Sequence, residues 1–352
     1  MSSYAYVGCR TTRERNACGN GIEVYHIDES GKWSHLSTVR TPDNPSYLSY
    51  DKTGKFLYAV HGDTHFASAY HINEKTYIPE YINTVELPGS NPVFLVPSPN
   101  NEDMIIACLG SGNIVAVQRT PEGGLGNIAA EYMFPGNDGI DKKTCPHQVL
   151  FDPGDKYLIV SLKGIKKTTI PAEEGLDVFT YHNQVFNKIF SIKGRNFDHC
   201  RQVAFHPNNK YFYLLNELQS KVVALKLELT GKAIPFQVVE TLPDDCVDTG
   251  RLLAGTVNCS RDGKHLFASN RGHDSIAMFD IEQETGRLVH TGWVETQGKK
   301  PRFTCIDPEN RYFYAANEES HNIVQFSIEN AGNLVPTGEV IKTGSPTCIV
   351  MQ

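Results

Sequence analysis

The chain has 352 residues, of which 40% are hydrophobic and 21% charged, a composition typical of a globular protein with a sizeable core and not of a disordered segment. Its formal net charge of −7 provides no overall positive field to attract nucleic acid or an anionic membrane surface, so neither partner is expected. The nine cysteines form no CxxC pair, which favours reduced thiols over a disulfide framework or a zinc knuckle.

The N-terminal residues, MSSYAYVGCR, lack the basic start and long apolar stretch of a signal peptide. No window approaches the roughly 18 consecutive apolar residues that a membrane helix requires. We therefore expect a cytoplasmic protein without a membrane segment. The sequence makes no prediction of the oligomeric state.

Further along the chain, one hairpin pattern recurs: a short alternating run, a turn of Asp, Pro, Asn or Gly, and a second run rich in aromatic and small apolar residues. The copies span residues 44–60, 91–109, 145–163, 199–217, 254–271 and 300–318. A third run follows most copies, as in SKVVALKLE (220–228), and a fourth fits segments such as GRLVHTGWVET (286–296). Each repeat is therefore predicted to contain four strands.

The interval between copies is nearly constant. Aligned on the second residue of the first strand, the copies begin at Ser46, Val93, His147, Arg201, Gly255 and Arg302, with spacings of 47, 54, 54, 54 and 47. A period near 50 with four short strands is typical of a propeller blade. A pair of β-sandwiches is the alternative, but a sandwich has no reason to repeat its hairpin at a constant interval.

The two termini complete the count. The tail SPTCIVMQ (345–352) predicts a seventh first strand with Thr347 in the aligned position, and SYAYVG with GIEVYHID (21–28) supplies the strands that it lacks. Sharing one blade between the termini closes the ring and removes exposed sheet edges. We predict an all-β, seven-bladed β-propeller with four-stranded antiparallel blades, formed as a single domain by residues 1–352.

Charged residues concentrate in one register of this repeat. The aligned start of the first strand and the aligned end of the second lie sixteen residues apart, and a hairpin returns both positions to the same side. The six pairs are Ser46/Gly62, Val93/Leu109, His147/Lys163, Arg201/Glu217, Gly255/Arg271 and Arg302/Glu318. Four consecutive blades thus bring charge to one mouth of the channel, which favours a functional site over scattered surface charge.

The segments CRQVAFHPNNKYFYLLNELQS, SRDGKHLFASNRGHDSIAMFDIE and KPRFTCIDPENRYFYAANEESHNIVQFSIE resemble the lactonase family of seven-bladed propellers, which includes cycloisomerase-type 6-phosphogluconolactonases and carboxymuconate lactonizing enzymes. The resemblance covers nearly the whole chain and is most specific from about residue 145 onward. It implies a catalytic set matching His147 in CPHQ, Arg201 in CRQV, Glu217 in LLNEL and Arg271 in SNRGHD.

The chain also departs from the family pattern. HCRQ stands where GPRH is common, and His61-Gly62 stands where the first blade commonly has NE. The loop 9–21 and the insertion KKTTIPAEEG (166–175) are unusual as well. A shared scaffold does not fix the substrate.

Lactone opening requires a base for a nucleophilic water and donors where charge grows on the carbonyl oxygen. Either Glu217 or His147 can be the base, and the guanidinium groups of Arg201 and Arg271 suit an oxyanion or a substrate carboxylate. We expect a small anionic lactone as substrate and no cofactor. The residues expected to bind the substrate are Arg302 and Lys163, with the Arg10–Arg15 loop, Glu318 and His61.

Two alternatives stay open at this point. The same residues suit a lactonizing cycloisomerase acting on a carboxymuconate-like dicarboxylate, with His147 or Glu217 as the acid. A non-catalytic propeller that binds a protein or peptide is the other alternative, although WD and GH signatures are absent. A metal site formed by His61, Asp63 and His65 is not favoured, because no fixed ligand spacing is present. His206, which occupies a turn position filled elsewhere by Asp152, Ser260 and Asp307, is expected to be structural.

Overall fold

The computed structural model describes residues 3–135, 143–165, 174–194, 197, 199–247 and 252–352. Within them the chain forms seven four-stranded antiparallel sheets, and the one helical segment is a single 3-10 turn at Arg13–Arg15. Most of the unusual insertion 166–175 lies outside the described residues. Among the described residues, no helix has the length and apolar character needed to cross a membrane.

The sheets are the blades of the propeller, numbered here from the first complete one. Blade 1 contains β4 (Pro45–Tyr50), β5 (Phe56–His61), β6 (Phe66–Ile72) and β7 (Pro79–Glu86). Blade 2 contains β8 (Pro92–Pro97), β9 (Asp103–Cys108), β10 (Asn113–Arg119) and β11 (Leu125–Met133). Blade 3 contains β12 (Lys143–Phe151), β13 (Leu158–Ile165), β14 (Gly175–His182) and β15 (Val185–Ile192). Blade 4 contains β16 (Cys200–Phe205), β17 (Tyr211–Asn216), β18 (Lys221–Leu227) and β19 (Ala233–Glu240).

The remaining blades continue the same order, and the last one joins the two ends of the chain. Blade 5 contains β20 (Leu253–Cys259), β21 (His265–Arg271), β22 (Ser275–Ile281) and β23 (Leu288–Glu295). Blade 6 contains β24 (Pro301–Ile306), β25 (Tyr312–Asn317), β26 (Asn322–Ile328) and β27 (Leu334–Lys342). Blade 7 contains β28 (Pro346–Met351), β1 (Ser3–Cys9), β2 (Ile22–Ile27) and β3 (Trp33–Val39).

The predicted seven-bladed fold and its ring closure are confirmed. The first strands of successive blades contact one another around the whole ring, including β28 against β4, so these strands are innermost. The apolar faces of adjacent blades enclose seven clusters of buried side chains in the described chain, one at each blade interface. Between blades 5 and 6, for example, Phe267, Phe313 and Phe326 are fully buried.

Polar turn residues stabilise the hairpins at the end of each blade opposite the mouth. Asp307 accepts hydrogen bonds from the backbone N–H groups of Arg311 and Tyr312, which closes the turn between β24 and β25. His206 has the equivalent place in blade 4: its Nδ1 accepts from Asn208 N, and its Nε2 lies 2.9 Å from Gly263 O of the next blade. The predicted structural role of His206 is confirmed by these contacts.

Candidate active site

A β-bulge in the innermost strand of every blade creates the charged register. In blade 4, Cys200 pairs with Asn216 and Gln202 pairs with Leu215, so Arg201 has no partner in the ladder. Equivalent shifts occur in the other six blades. Bulges turn side chains away from the regular alternation and are frequent beside active sites. Here they leave the aligned residue of each first strand free of the ladder, at the channel.

The bulged residues of six blades line one cavity in the channel. Its volume is about 20 Å³, room for about one water molecule. The lining residues are Arg10, Ser46, Tyr47, Val93, His147, Arg201, Gln202, Arg302, Phe303 and Thr347. The alignment of the repeats thus predicts most of the surface of this cavity, and three of the residues that contact it carry a guanidinium group.

Glu217 is surrounded by three cations from three blades. Lys163 Nζ contacts Oε2, Arg271 NH2 contacts Oε1, and Arg201 Nε lies 3.6 Å from Oε1. Burial alone would raise the pKa of the Glu217 carboxyl, but the charges of Arg271, Lys163 and Arg201 outweigh burial and hold this pKa well below its usual value. Glu217 is therefore an ionised carboxylate that is already fully committed to ion pairs.

Glu318 repeats this arrangement on the other side of the channel. Its Oε1 lies 3.1 Å from Arg10 Nε, and its Oε2 lies 3.3 Å from Lys300 Nζ and 3.8 Å from Arg302 NH1. Burial raises the pKa of this carboxyl, yet the charges of Arg302, Lys300 and Arg10 lower it overall. Three cations at each glutamate give six basic side chains around two carboxylates, a strong local excess of positive charge in an acidic protein.

Arg201 is fixed through both its backbone and its side chain. Its NH1 donates a hydrogen bond to Gly255 O, and its carbonyl oxygen accepts one from Ser161 Oγ at 2.8 Å. The same hydroxyl accepts the hydrogen bond of Gln148 N, the backbone group just after bulged His147. Arg201 Nε, which is buried, donates no hydrogen bond. This nitrogen instead faces Glu217 Oε1 at 3.6 Å, beyond hydrogen-bond distance.

His147 is the neutral member of the site. Its Nδ1 is buried and has no hydrogen-bond partner, and its ring lines the water-sized cavity. Burial lowers the pKa of the imidazole well below its ordinary value, and the charges of Arg201 and Lys163 lower it further. The ring is therefore uncharged at neutral pH, and its unshared electron pair can accept a proton.

Not every sequence candidate reaches the cavity. His61 is fully buried and does not line it, with Nε2 2.7 Å from Ser68 Oγ and Nδ1 3.1 Å from Asp43 O. Burial lowers the pKa of this ring to about 4, so His61 is a neutral structural contact and we do not include it in the proposed site. Across the described ranges, no group of three or more His, Cys, Asp or Glu side chains is placed to hold a metal ion.

Arg10 belongs to the same register of end-of-strand residues, although its position in the sequence does not show this. It follows β1, and its backbone N–H donates to Ser345 O at 3.0 Å. The corresponding bonds run from Gly62 N to Asn44 O, Glu217 N to His199 O and Glu318 N to Lys300 O. Arg10 is thus the seventh end-of-strand residue of the register, paired with Thr347. The interval of sixteen residues conceals this pair because its members lie at opposite ends of the chain.

The comparisons with known proteins agree with this architecture. Residues 4–351 match the family of seven-bladed β-propeller lactonases, and the chain belongs to that family. The family and its curated relatives define a lactone hydrolase. The 6-phosphogluconolactonase of Bacillus subtilis is 27% identical over 99% of this chain and 98% of that protein. The 6-phosphogluconolactonase of Formosa agariphila is 29% identical over 88% of each chain.

A solved structure supports the fold alone. The periplasmic gluconolactonase of Pseudomonas aeruginosa superposes with a TM-score of 0.88 over 100% of this chain and 99% of that one, at 20% sequence identity. At this identity the likeness shows the shared blades and their order.

Proposed function

We propose that the protein hydrolyses a small anionic sugar-acid lactone at the charged mouth of the channel, with His147 as the base. The observation that carries this proposal is the uncharged His147, which lines a water-sized cavity together with Arg201 and Arg302 and whose Nδ1 has no hydrogen-bond partner. The names of the curated relatives support a sugar lactone as the substrate.

The reaction follows from these groups. His147 Nδ1 accepts a proton from a water molecule as the water oxygen attacks the lactone carbonyl carbon. The negative charge that develops on the carbonyl oxygen is stabilised by the guanidinium of Arg201, which lines the cavity. When the ring C–O bond breaks, the imidazolium returns its proton to the departing oxygen, and the acid product loses one proton to solvent at neutral pH.

Glu217 is not assigned as the base. Both of its carboxylate oxygens already contact cations, whereas Nδ1 of His147 has no partner and can accept a proton without breaking an ion pair. Its proposed role is to hold Lys163, Arg201 and Arg271 together at the mouth. Removing such a buried partner leaves uncompensated charge, which costs about 3–5 kcal/mol in comparable buried pairs.

The two alternatives receive no specific support. Lactonization would use the same residues in the opposite direction, but the curated relatives are named for lactone hydrolysis. A non-catalytic binding role leaves the unpartnered, uncharged His147 without a purpose. A cytoplasmic location stays a prediction, supported by nine cysteines that are all free of disulfide bonds.

The test is acid release, followed with a pH indicator, from glucono-δ-lactone, its 6-phosphate and uronic-acid lactones. We expect the wild type to exceed the spontaneous rate with at least one of them. The Arg201→Ala variant is expected to lose about 10²–10³-fold in kcat, the usual effect of removing one oxyanion donor. Arg287→Ala, which changes an exposed arginine of blade 5, should behave as the wild type. A wild type that accelerates the opening of no lactone would overturn the proposal.

A further inference from the structure

Arg10 lines the cavity beside blade 1, whose aligned pair of residues has the smallest side chains of the register. Blade 1 contributes Ser46 and Gly62, and a Cβ atom added at Gly62 would lie 2.7 Å from Ser46 Oγ and 3.8 Å from Arg10 NH1. Any side chain in place of Gly62 would therefore crowd the space beside the guanidinium. The long side chain from blade 7 and the missing side chain of blade 1 are complementary.

The two carboxylates that Arg10 contacts each have another cation as a partner. Its NH1 lies 2.9 Å from Asp63 Oδ2 and its Nε lies 3.1 Å from Glu318 Oε1. Asp63 is also bound by Arg15, whose Nε donates to Oδ2 at 2.8 Å. Glu318 retains Lys300 as a partner, even when Arg302 is also released. Both carboxylates thus remain paired with another cation when Arg10 turns to a different anion.

The small volume of the cavity also indicates that Arg10 must leave its carboxylate partners before a substrate can bind. At about 20 Å³ it admits about one water molecule, which is far less than a sugar lactone needs. Arg302, the other lining arginine next to Glu318, is held loosely, at 3.8 Å from that carboxylate. An anionic substrate can therefore enter by replacing protein carboxylates at two guanidinium groups, both of which already contact the cavity.

We propose that Arg10 is a specificity-determining residue, which together with Arg302 binds an anionic group carried by the substrate away from its lactone carbonyl. The inference rests on the proposed lactone hydrolysis and goes beyond it, since it assigns the selection of the charged group to a residue of blade 7. A planar guanidinium suits a phosphate or carboxylate because it donates two parallel hydrogen bonds.

The experiment compares glucono-δ-lactone with its 6-phosphate, two substrates that share the same ring and differ in the phosphate. In the Arg10→Gln variant, kcat/KM for the phosphorylated lactone should fall about 10- to 100-fold, the loss expected for a hydrogen bond to a charged group. The value for the unphosphorylated lactone should change less than about 3-fold. The Arg10→Lys variant, which retains the charge, should restore part of the preference.

Arg287→Gln is the control, because Arg287 is an exposed arginine of blade 5 outside the proposed site and its loss should leave both rates unchanged. An equal loss on both substrates in Arg10→Gln, or no loss on either, would contradict the inference while leaving lactone hydrolysis intact. If the wild type opens no lactone of the panel, the proposed function fails, and calorimetric binding of 6-phosphogluconate and gluconate decides the inference separately. The inference is supported if the wild type prefers the phosphorylated acid and Arg10→Gln does not. It is contradicted if the two proteins show the same preference.

Discussion

Glu217 and His147 lie among the same cations, yet their surroundings give them different tasks. The carboxylate is paired on both oxygens, whereas the imidazole has an unpartnered nitrogen at the cavity. The same positive charges that stabilise ionised Glu217 disfavour protonated His147. One electrostatic field thus keeps the glutamate charged and the histidine neutral, which sequence alone leaves undecided.

This field predicts the pH dependence of the reaction. The active form of His147 is neutral, so kcat/KM is lost as the pH falls through the pKa of this ring. Because burial and nearby cations lower that pKa, the wild-type rate should be constant near neutral pH and fall only in acid.

The Arg302→Gln variant tests the contribution of a neighbouring charge. Arg302 is among the cations that lower the pKa of His147, so its removal should raise this pKa and move the acidic midpoint of kcat/KM to higher pH. The profile should be measured with glucono-δ-lactone, which lacks the phosphate. Lys300→Gln removes another cation that contacts Glu318, the glutamate beside Arg302, and should leave the midpoint in place. A midpoint that stays unchanged in Arg302→Gln would exclude His147 as the titrating base.

At the scale of the strands, the decisive element is the bulge. The hairpin interval predicts which residues share one end of the ring, and the structure places six of the seven aligned first-strand residues on one cavity. The sequence does not reveal why they point there, because a bulge depends on the pairing of two strands. Nor does it reveal that Arg10 and Thr347 are the two aligned positions of blade 7, because these residues come together only when the termini meet in that blade.

The serine hydroxyls behind the bulges supply a prediction at this scale. Ser161 accepts from Gln148 N and donates to Arg201 O, and Ser269 accepts from Thr256 N and donates to Pro301 O in the same way. Each alanine variant should lose about 1–3 kcal/mol of stability, because a buried N–H loses its acceptor. Ser161→Ala should also lower kcat by about tenfold, since it releases the backbone of both His147 and Arg201.

Thermal unfolding measures the loss of stability, and single-turnover rates measure the loss of catalytic rate separately. The Ser269 hydroxyl supports the strand of Arg302 and not that of His147. The Ser269→Ala variant should therefore match Ser161→Ala in stability and retain more of the wild-type kcat. Equal losses of kcat in the two variants would show that the bulge hydroxyls act only through general stability.

For the whole molecule, the ring determines where charge collects. The chain has a net charge of −7, yet six basic side chains from five blades converge on two glutamates at one mouth. The periodicity of the sequence predicts the seven blades, because each repeat must bury its faces against its neighbours. The ion pairs within the mouth are not predictable in the same way, because they join side chains of different blades and depend on the closed ring.

The most direct test of this account is the rate of acid release by His147→Gln. We expect kcat to fall at least about 10²-fold, because the general base is lost, while thermal unfolding shows that the ring remains folded. His206→Gln, which changes a buried histidine at the opposite end of the blades, is the matched control and should retain activity at temperatures where it is folded. A folded His147→Gln protein with the wild-type rate would contradict the assignment of hydrolysis to this mouth.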